Sequence, residues 1–231
     1  MKNILELKDV WKIYKLGEVE FPALRGVTLS IRQGEFLAVM GKSGSGKSTM
    51  LNSIGSLDIP TRGKIYLDGI DISSLSESDL ATIRGKKIGF IFQQFNLVLS
   101  LTALENVMLP MIFQGVPLEK RRKIATQILE QVSLGHVINK TPLQCSGGEQ
   151  QRIAIARELV NDPEVILADE PTGNLDSTTG KSVIDFLATL HKERGKTIVM
   201  VTHDENLSQE AQRICILRDG QIIKETECKR K

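Results

Sequence analysis

Hydrophobic positions along the chain alternate with polar ones in short runs, a pattern typical of β-strands. Residues 3–15 and 23–31 show this alternation, whereas residues 35–40 (EFLAVM) are apolar enough to predict a buried strand. Further runs predict strands at residues 64–67, 70–72, 87–92, 164–168, 197–201, 214–217 and 221–224. Asp-Gly pairs at 68–69 and 219–220 favour tight turns that need positive φ, and they therefore predict two hairpins.

Helical spacing of apolar residues predicts α-helices at residues 48–57 and 177–192. The same spacing dominates from residue 102 to residue 160, which indicates a helical insertion. Prolines are expected to break this stretch at Pro110, Pro117 and Pro142. Because strands and helices alternate before and after the insertion, we expect a parallel sheet covered on both faces.

A glycine-rich loop joins the predicted strand 35–40 to the predicted helix 48–57, and its residues 41–49 read GKSGSGKST. The loop matches G-x-x-x-x-G-K-[ST], in which successive backbone N–H groups surround phosphate oxygens and the next helix adds its free N-terminal N–H groups. Lys47 would add a charge near the β- and γ-phosphates, and Ser48 could ligate Mg²⁺. The residues predicted to bind ATP here are Gly41, Ser43, Gly44, Ser45, Gly46, Lys47, Ser48 and Thr49.

Two acidic residues follow the apolar strand 164–168, at the strand end where ligands gather in open α/β sheets. Asp169 can hold Mg²⁺ as a Walker B aspartate does, and Glu170 can polarise the attacking water as general base. His203 follows the predicted strand 197–201 in the same manner, where its imidazole could touch the γ-phosphate. A phosphate loop alone does not choose among kinases, GTPases and motor or transport ATPases, so other motifs must do so.

Composition and charge narrow the function only slightly. The 231 residues carry 30 Lys and Arg against 28 Asp and Glu, a net charge of +2 that gives no support for a nucleic-acid partner. The three cysteines have no paired spacing, which fits a reducing compartment. We find neither the apolar region of a secretory signal nor a membrane-spanning run of roughly 18 apolar residues. If the protein works at a membrane, another chain must supply the span.

The segment that identifies a family is residues 144–157, which read QCSGGEQQRIAIAR. Here the chain resembles the ABC ATPases, the nucleotide-binding subunits of ATP-binding-cassette transporters, whose signature LSGGQ precedes a helix containing QQR. The residues that match are Ser146, Gly147, Gly148, Gln150, Gln151 and Arg152. The resemblance implies that the signature residues Ser146, Gly147, Gly148 and Glu149 act on the ATP of a second copy. Gly147 and Gly148 open a helix N-terminus, which is a second possible anion site. Cys145 replaces the usual leucine and should be tolerated as a small apolar residue, whereas Glu149 replaces the usual glutamine and puts an acid near the site.

The resemblance extends in order along essentially the whole chain. It implies that Tyr14 stacks on adenine and that Gln93, the Q-loop glutamine, senses the metal and the attacking water. Asp176 is similar to the D-loop aspartate, and His203 is similar to the H-loop histidine that steadies the transition state. The implied metal ligands are Ser48, Gln93 and Asp169.

The fold implied by the resemblance is α/β, of the P-loop NTPase (RecA-like) type. It has a parallel-sheet core, an antiparallel β subdomain and an inserted α-helical subdomain. Residues 1–231 would form a single ABC ATPase domain. Residues 1–93 and 161–231 would form the ATP-binding core with the antiparallel subdomain, and residues 94–160 the helical subdomain with the signature.

The function implied by the resemblance is Mg²⁺-dependent ATP hydrolysis that powers transport. Two copies would bind head to tail, so that Ser146 of one copy completes the ATP site of the other. The helical subdomain would grip a separate membrane permease, which places the chain in the cytoplasm, peripheral on the inner face of the cell membrane. Segments 17–27 and 92–107 look most like the lipoprotein-release and macrolide-export group (LolD-like and MacB-like subunits).

Two alternative functions are less consistent with the sequence. A soluble ABC ATPase without a membrane partner usually carries a long coiled-coil insertion or two cassettes, and this chain has neither. A P-loop kinase would transfer the phosphoryl group to a small acceptor, but it has no use for the SGGEQQR segment.

Overall fold

Two β-sheets form the centre of the computed structural model, which describes residues 2–228 except the side chains of residues 205 and 206. Positions 1 and 229–231 of the predicted domain lie outside the described residues. In chain order the strands are β1 (Asn3–Leu16), β2 (Val19–Arg32), β3 (Phe36–Met40), β4 (Arg62–Leu67), β5 (Ile70–Asp71), β6 (Ile88–Ile91), β7 (Val165–Asp169), β8 (Thr197–Thr202), β9 (Arg213–Arg218) and β10 (Gln221–Glu227). The helices are α1 (Lys47–Ile54), α2 (Glu77–Lys87), α3 (Ala103–Phe113), α4 (Leu118–Gln131), α5 (Gly147–Leu159), α6 (Ser177–Arg194) and α7 (Glu205–Ser208).

The larger sheet confirms the predicted parallel core. Among the described residues it has six strands in the order β10-β9-β3-β8-β7-β6, and only β10 runs antiparallel to its neighbour. Its central strands are buried on both faces: Leu37 and Val39 of β3 face one hydrophobic cluster, whereas Phe36 and Ala38 face another. Apolar side chains on both faces are what a sheet between two layers requires.

The smaller sheet is antiparallel, in the order β2-β1-β4-β5 within the described residues. Side chains of β1, β2 and β4 share one hydrophobic cluster with α1 and with one face of the parallel sheet. The opposite face of the parallel sheet packs against α5 and α6. A third cluster joins α3, α4 and α5, so the stretch rich in helical spacing has a hydrophobic core of its own.

The structure corrects several sequence-based boundaries. Pro110 lies inside α3 and does not break it, because its neighbours Val107 and Met111 are fully buried in the third cluster and hold the helix in place. Helix α1 ends at Ile54 and not at residue 57, since Gly55 caps it. Lys87, predicted to begin a strand, is the last residue of α2.

Two helices were not predicted at all. Helix α2 buries only Leu80 among its residues, so it lacks the apolar stripe that sequence patterns detect. Helix α7 is a single turn of four residues, too short to show a period.

Candidate nucleotide-binding site

Three strands of the parallel sheet end at one edge, and the loops after them surround a cleft. Met40 pairs with Thr202, and Asp169 pairs with Val201, so β3, β7 and β8 finish at the same level. The cleft has a volume of about 740 Å³. Its lining includes eleven of the predicted site residues, namely Tyr14, Ser43, Gly44, Gly46, Lys47, Ser48, Thr49, Gln93, Asp169, Glu170 and His203. The sequence pattern therefore identified most of one continuous surface.

The phosphate loop leaves the N-terminus of α1 open. The residue before the helix is Gly46, whose φ of 100° lies in the left-handed region, and no side chain caps the helix. A Cβ built on Gly46 would lie 2.5 Å from the carbonyl oxygen of Ala23, so a larger residue would clash as well as strain the backbone. The first turn carries no acidic residue, which leaves its N–H groups and the positive end of the helix dipole available to an anion.

Lys47 holds its charge inside the loop. Its side chain is almost buried, with 7% of the residue exposed, and Nζ donates to the carbonyl oxygens of Gly41 (3.0 Å) and Lys42 (3.1 Å). An ammonium group has three N–H donors, so these two bonds leave one for a further acceptor. The ammonium is thus directed at the place where the loop would hold a phosphate.

Gly41 and Ser45, also predicted to bind ATP, do not line the cleft. Ser45 is buried, and its carbonyl oxygen accepts from the N–H of Gly220 at 3.0 Å. A Cβ on Gly41 would lie 2.2 Å from the carbonyl oxygen of Leu217. Both residues therefore support the loop against the β9–β10 hairpin, where only a small side chain fits.

Asp169 ends β7 beside the phosphate loop. The Ser48 hydroxyl donates to its Oδ1 at 3.1 Å. Burial raises the pKa of the Asp169 carboxyl, and the hydrogen bond from Ser48 opposes that rise. The nearby charge of Glu170 also raises this pKa, whereas that of Lys47 lowers it. A hydroxyl and a carboxylate side by side are hard oxygen donors.

Glu170 follows directly with an unusual backbone conformation. Its φ is 44°, in the left-handed region, and its N–H donates to the Val201 carbonyl at 3.0 Å. The carboxylate Oε1 lies 3.2 Å from Nδ1 of His203. Backbone strain of this kind, which costs about 1–3 kcal/mol, tends to occur at functional sites. The carboxylate faces the cleft as a possible proton acceptor, and the exposed imidazole next to it can orient it.

Gln93 follows β6 and approaches the segment after Glu170 closely. Its carbonyl oxygen accepts from Asn174 Nδ2 at 2.9 Å. A Cβ built on Gly173 would lie only 2.7 Å from Gln93 Nε2, so glycine permits the approach. Gln93 thus lies both in the cleft lining and at the start of the segment that connects β6 to α3.

Tyr14, on β1, also lines the cleft. Its hydroxyl donates to Oδ2 of Asp58 at 2.7 Å, and Asp58 also forms an ion pair with Lys12. Burial and the hydrogen bond to Asp58 raise the pKa of the Tyr14 phenol. Phe21, which pairs with Tyr14 across β1 and β2, is 53% exposed and lines the same cleft. The two rings therefore form an aromatic part of the cleft lining.

Residues 146–149 lie outside the lining of this cleft. Ser146 caps α5, and Glu149 returns its side chain to Ser146, so the two residues form a capping box. A Cβ on Gly148 would lie 2.3 Å from Thr179 Cγ2, and Thr179 N in turn donates to Asp176 Oδ1 at 3.0 Å. The signature residues and Asp176 therefore form a second cluster, separate from the cleft residues of the same chain.

Comparison with known proteins supplies the family. The family model described as "ABC transporter" matches residues 24–173, which include the phosphate loop, Gln93, the signature, Asp169 and Glu170. The chain belongs to the ABC transporter family of ATP-binding cassettes. Its fold and its relatives make it an ATPase of that family.

Relatives and solved structures agree with this assignment. An uncharacterized ABC transporter ATP-binding protein from Thermotoga maritima is 52% identical over 222 residues, covering 96% of this chain and 94% of the relative. A dimeric post-hydrolysis structure of the cassette MJ0796, bound to ADP and Pi, has a TM-score of 0.91 and 50% identity, covering 98% of this chain and all of that one. The relative of that name comes from Methanocaldococcus jannaschii.

Longer relatives contain the cassette as one part. The macrolide export ATP-binding/permease protein MacB of Brucella abortus is 46% identical over 223 residues. The match covers 96% of this chain but 34% of MacB. The cassette therefore corresponds to about a third of that protein.

The cassette's donor set fits Mg²⁺. Among residues 2–228, no group of three or more His, Cys, Asp and Glu could hold a metal by itself. Ser48, Asp169 and Gln93 instead line the cleft with hydroxyl, carboxylate and amide oxygens. Mg²⁺ prefers such hard oxygen ligands and usually shares them with substrate phosphates.

Sequence reasoning missed several contributors to the cassette's cleft. Phe21 stands just before the predicted strand 23–31, and its exposure and its pairing with Tyr14 are evident only in the structure. Asp58 gave no signal, because its contact with Tyr14 spans 44 positions of the chain. Lys42 and Ala23 also line the cleft.

Proposed function

We propose that this chain is the ATP-hydrolysing subunit of an ABC transporter and that it works as a head-to-tail dimer joined to a separate membrane permease. The single observation that carries the proposal is the separation of two clusters. The cleft holds an open helix N-terminus, Lys47 and the two carboxylates, yet the signature residues lie elsewhere on the same chain. A second copy can therefore supply Ser146 to the ATP of the first.

In this proposal the cleft residues divide the work. The ring of Tyr14 stacks on adenine, and residues 41–49 bind the phosphates through backbone N–H groups and Lys47. Ser48, Asp169 and Gln93 would hold Mg²⁺, which supplies neutralisation of phosphate charge. Glu170 accepts a proton from the attacking water, a contribution of about 10²–10⁴-fold in rate.

His203 and the signature would complete the transition-state contacts. His203 lies against Oε1 of Glu170, so it can orient that carboxylate and reach toward the γ-phosphate. Ser146 and the N–H groups of Gly147 and Gly148 from the second copy would bind the same phosphate from the opposite side. The neighbouring Asp176 cluster, which contacts the signature through Thr179, would lie in the same dimer interface.

The membrane partner is supported by the relatives and by the surface of the helical part. MacB is named an ATP-binding/permease protein, whereas no helix among the described residues is long and apolar enough to cross a membrane. We propose that residues 94–160 form a subdomain that contacts the permease. Exposed apolar side chains there include Val98, Leu99, Ile112, Phe113, Leu118 and Leu143. The chain would then lie peripherally on the inner face of the cell membrane, in a lipoprotein-release or macrolide and peptide export system.

Trapping the dimer tests the proposal. The variant Glu170→Gln should hydrolyse ATP about 10²–10⁴-fold more slowly but still bind it, so ATP should accumulate a dimer on a sizing column. The matched control Glu164→Gln removes a carboxylate just before the same strand and should leave hydrolysis unchanged. A Glu170→Gln protein that binds ATP but stays monomeric would contradict the head-to-tail scheme. The membrane partner is tested separately: the protein should co-purify with a permease of the native host, and the variant Phe113→Ser should lose this co-purification.

A further inference from the structure

Glu149, the acidic replacement in the signature, has both carboxylate oxygens engaged within its own chain. Oε2 accepts from the N–H of Ser146 at 2.7 Å and from the Ser146 hydroxyl at 2.9 Å. Oε1 lies 2.9 Å from Nε2 of His136. Since a carboxylate only accepts, Nε2 of His136 must carry a proton and donate it. The acid is therefore held from two sides, by the residue that it caps and by a histidine outside the helix.

His136 is not needed for the shape of its own segment. It lies in the short 3₁₀ turn Gly135–Val137, where the side chain of Val137 is fully buried. The turn is closed by backbone bonds from Val137 N to the Leu134 carbonyl and from Lys140 N to the Val137 carbonyl. The side chain of His136 is 61% exposed, and it contacts Glu149. Its contact is thus directed at the signature and not at the local fold.

The contact has a consequence for any phosphate that approaches α5. An unrestrained carboxylate in the first turn would be free to swing toward an approaching anion and repel it. A hydrogen bond from His136 to Oε1 restrains the carboxylate in the capping geometry and disperses its charge. The pKa of Glu149 is lowered to about 2, first by the Ser146 N–H and hydroxyl and then by His136, as expected for an ionised carboxylate held by several donors.

We propose that His136 is a positioning residue for the signature: by holding Oε1 it keeps the Glu149 carboxylate in the capping box, and so limits the repulsion between this carboxylate and the γ-phosphate of the second copy's ATP. The inference rests on the proposed head-to-tail function. It assigns to His136 a task that exists only because position 149 is glutamate. With glutamine at this position the cap is kept, since glutamine also serves in a capping box, but no charge needs restraint.

A double-mutant cycle tests this assignment. In the Glu149 protein, His136→Ala should raise the ATP concentration for half-maximal hydrolysis about three-fold, the size expected for a half-exposed charged hydrogen bond, and change kcat little. In the Glu149→Gln protein the same substitution should change it less than about 1.5-fold. Lys140→Ala, which removes a cation from the same segment, is the matched control and should have no effect in either background.

Two results would overturn the inference. One is an equal effect of His136→Ala in both backgrounds, which would indicate a structural role in the turn. The other is no effect in the Glu149 background. The same cycle can be measured as ATP-driven dimerisation in the Glu170→Gln protein, which tests the proposed head-to-tail function separately from the role of His136. Failure of every variant to dimerise counts against the proposed function, whereas dimerisation that ignores His136 removes only the positioning role.

Discussion

Helices α1 and α5 both begin in glycine-rich segments, yet their N-termini are built in opposite ways. Helix α1 follows Gly46 in the left-handed region, with no side-chain cap and no acid in its first turn. Helix α5 follows Ser146 in extended conformation, with a complete capping box and Glu149 in its first turn. The first terminus keeps its N–H groups for a ligand, whereas the second already pairs the N–H groups of Ser146 and Glu149 within its own chain.

This difference suggests how one chain can bind ATP without completing its site. The open terminus of α1 lies in the cleft with Lys47 and needs no partner to attract phosphate. At α5 an incoming phosphate must compete with Glu149 for the Ser146 hydroxyl. We therefore expect ATP binding to tolerate dilution of the protein, and hydrolysis to depend steeply on its concentration. Four substitutions test this difference between the two helix termini, and they are given in decreasing order of expected effect.

Removing the charge at the open terminus should have the largest effect. Lys47→Ala should weaken ATP binding at least about 100-fold, because a buried ammonium directed at the phosphates contributes several kcal/mol. Lys42→Ala removes a cation that lines the same cleft and should cost less than about 10-fold. Calorimetric titration with ATP measures both variants. Equal losses would mean that the loop acts through its net charge alone.

Adding a charge at the closed terminus should weaken dimerisation without unfolding the helix. Ser146→Asp keeps a good N-cap, but it places a second carboxylate against the partner's phosphate and should weaken the ATP-driven dimer about 50-fold. ATP binding to the monomer should remain within about two-fold. Thr102→Asp, the same change at the capping box of α3, is the control and should dimerise normally. Sedimentation with and without ATP distinguishes them.

Forcing a side chain into the open terminus should cost stability. Gly46→Ala should lower the free energy of unfolding by about 2 kcal/mol, since the new Cβ meets the Ala23 carbonyl in a left-handed conformation. Gly17→Ala shares positive φ but meets nothing within 4 Å, so it should cost about 1 kcal/mol. Urea unfolding of both proteins gives the values. A smaller loss at Gly46 than at Gly17 would argue against the tight contact.

Removing the cap of α5 should have the smallest effect. Glu149→Ala should lower the free energy of unfolding by about 1 kcal/mol at pH 7, whereas Glu149→Gln should lower it less. Because the folded pKa of Glu149 is about 2 and its ordinary value is 4.5, its contribution is complete above pH 4.5. It is lost as the pH falls through 2. The gap between the native protein and Glu149→Ala should therefore narrow in acid, and a gap that is constant with pH would contradict the ionic cap.

Strong periodicity made most of the fold predictable. Strands such as 35–40 and 197–201 were placed to within one residue, because apolar runs between turn residues leave few alternatives. Weak periodicity explains why α2 was missed, because only one of its residues is buried. The predicted break at Pro110 is wrong for a different reason, since burial of its neighbours outweighs the loss of one backbone N–H donor.

Motif spacing likewise identified the cleft residues, but it did not identify the residues that contact and orient the predicted site residues. The phosphate loop and the carboxylates carry chemical signatures in their residue types. The contacts of Asp58 with Tyr14 and of His136 with Glu149 carry none, because such residues occur on any protein surface and only proximity gives them a task.

Local patterns along the chain were enough to indicate the family, the parallel sheet and the residues that we propose to bind phosphate. The tertiary structure alone decided which of those residues meet. Ser48 and Asp169, 121 positions apart, come together because parallel strands end at one edge. Ser146 stays out of that cleft because α5 packs on the opposite face of the sheet, against α3 and α6. Non-local packing therefore divides one chain's motifs between two clusters, a division that no spacing along the chain encodes.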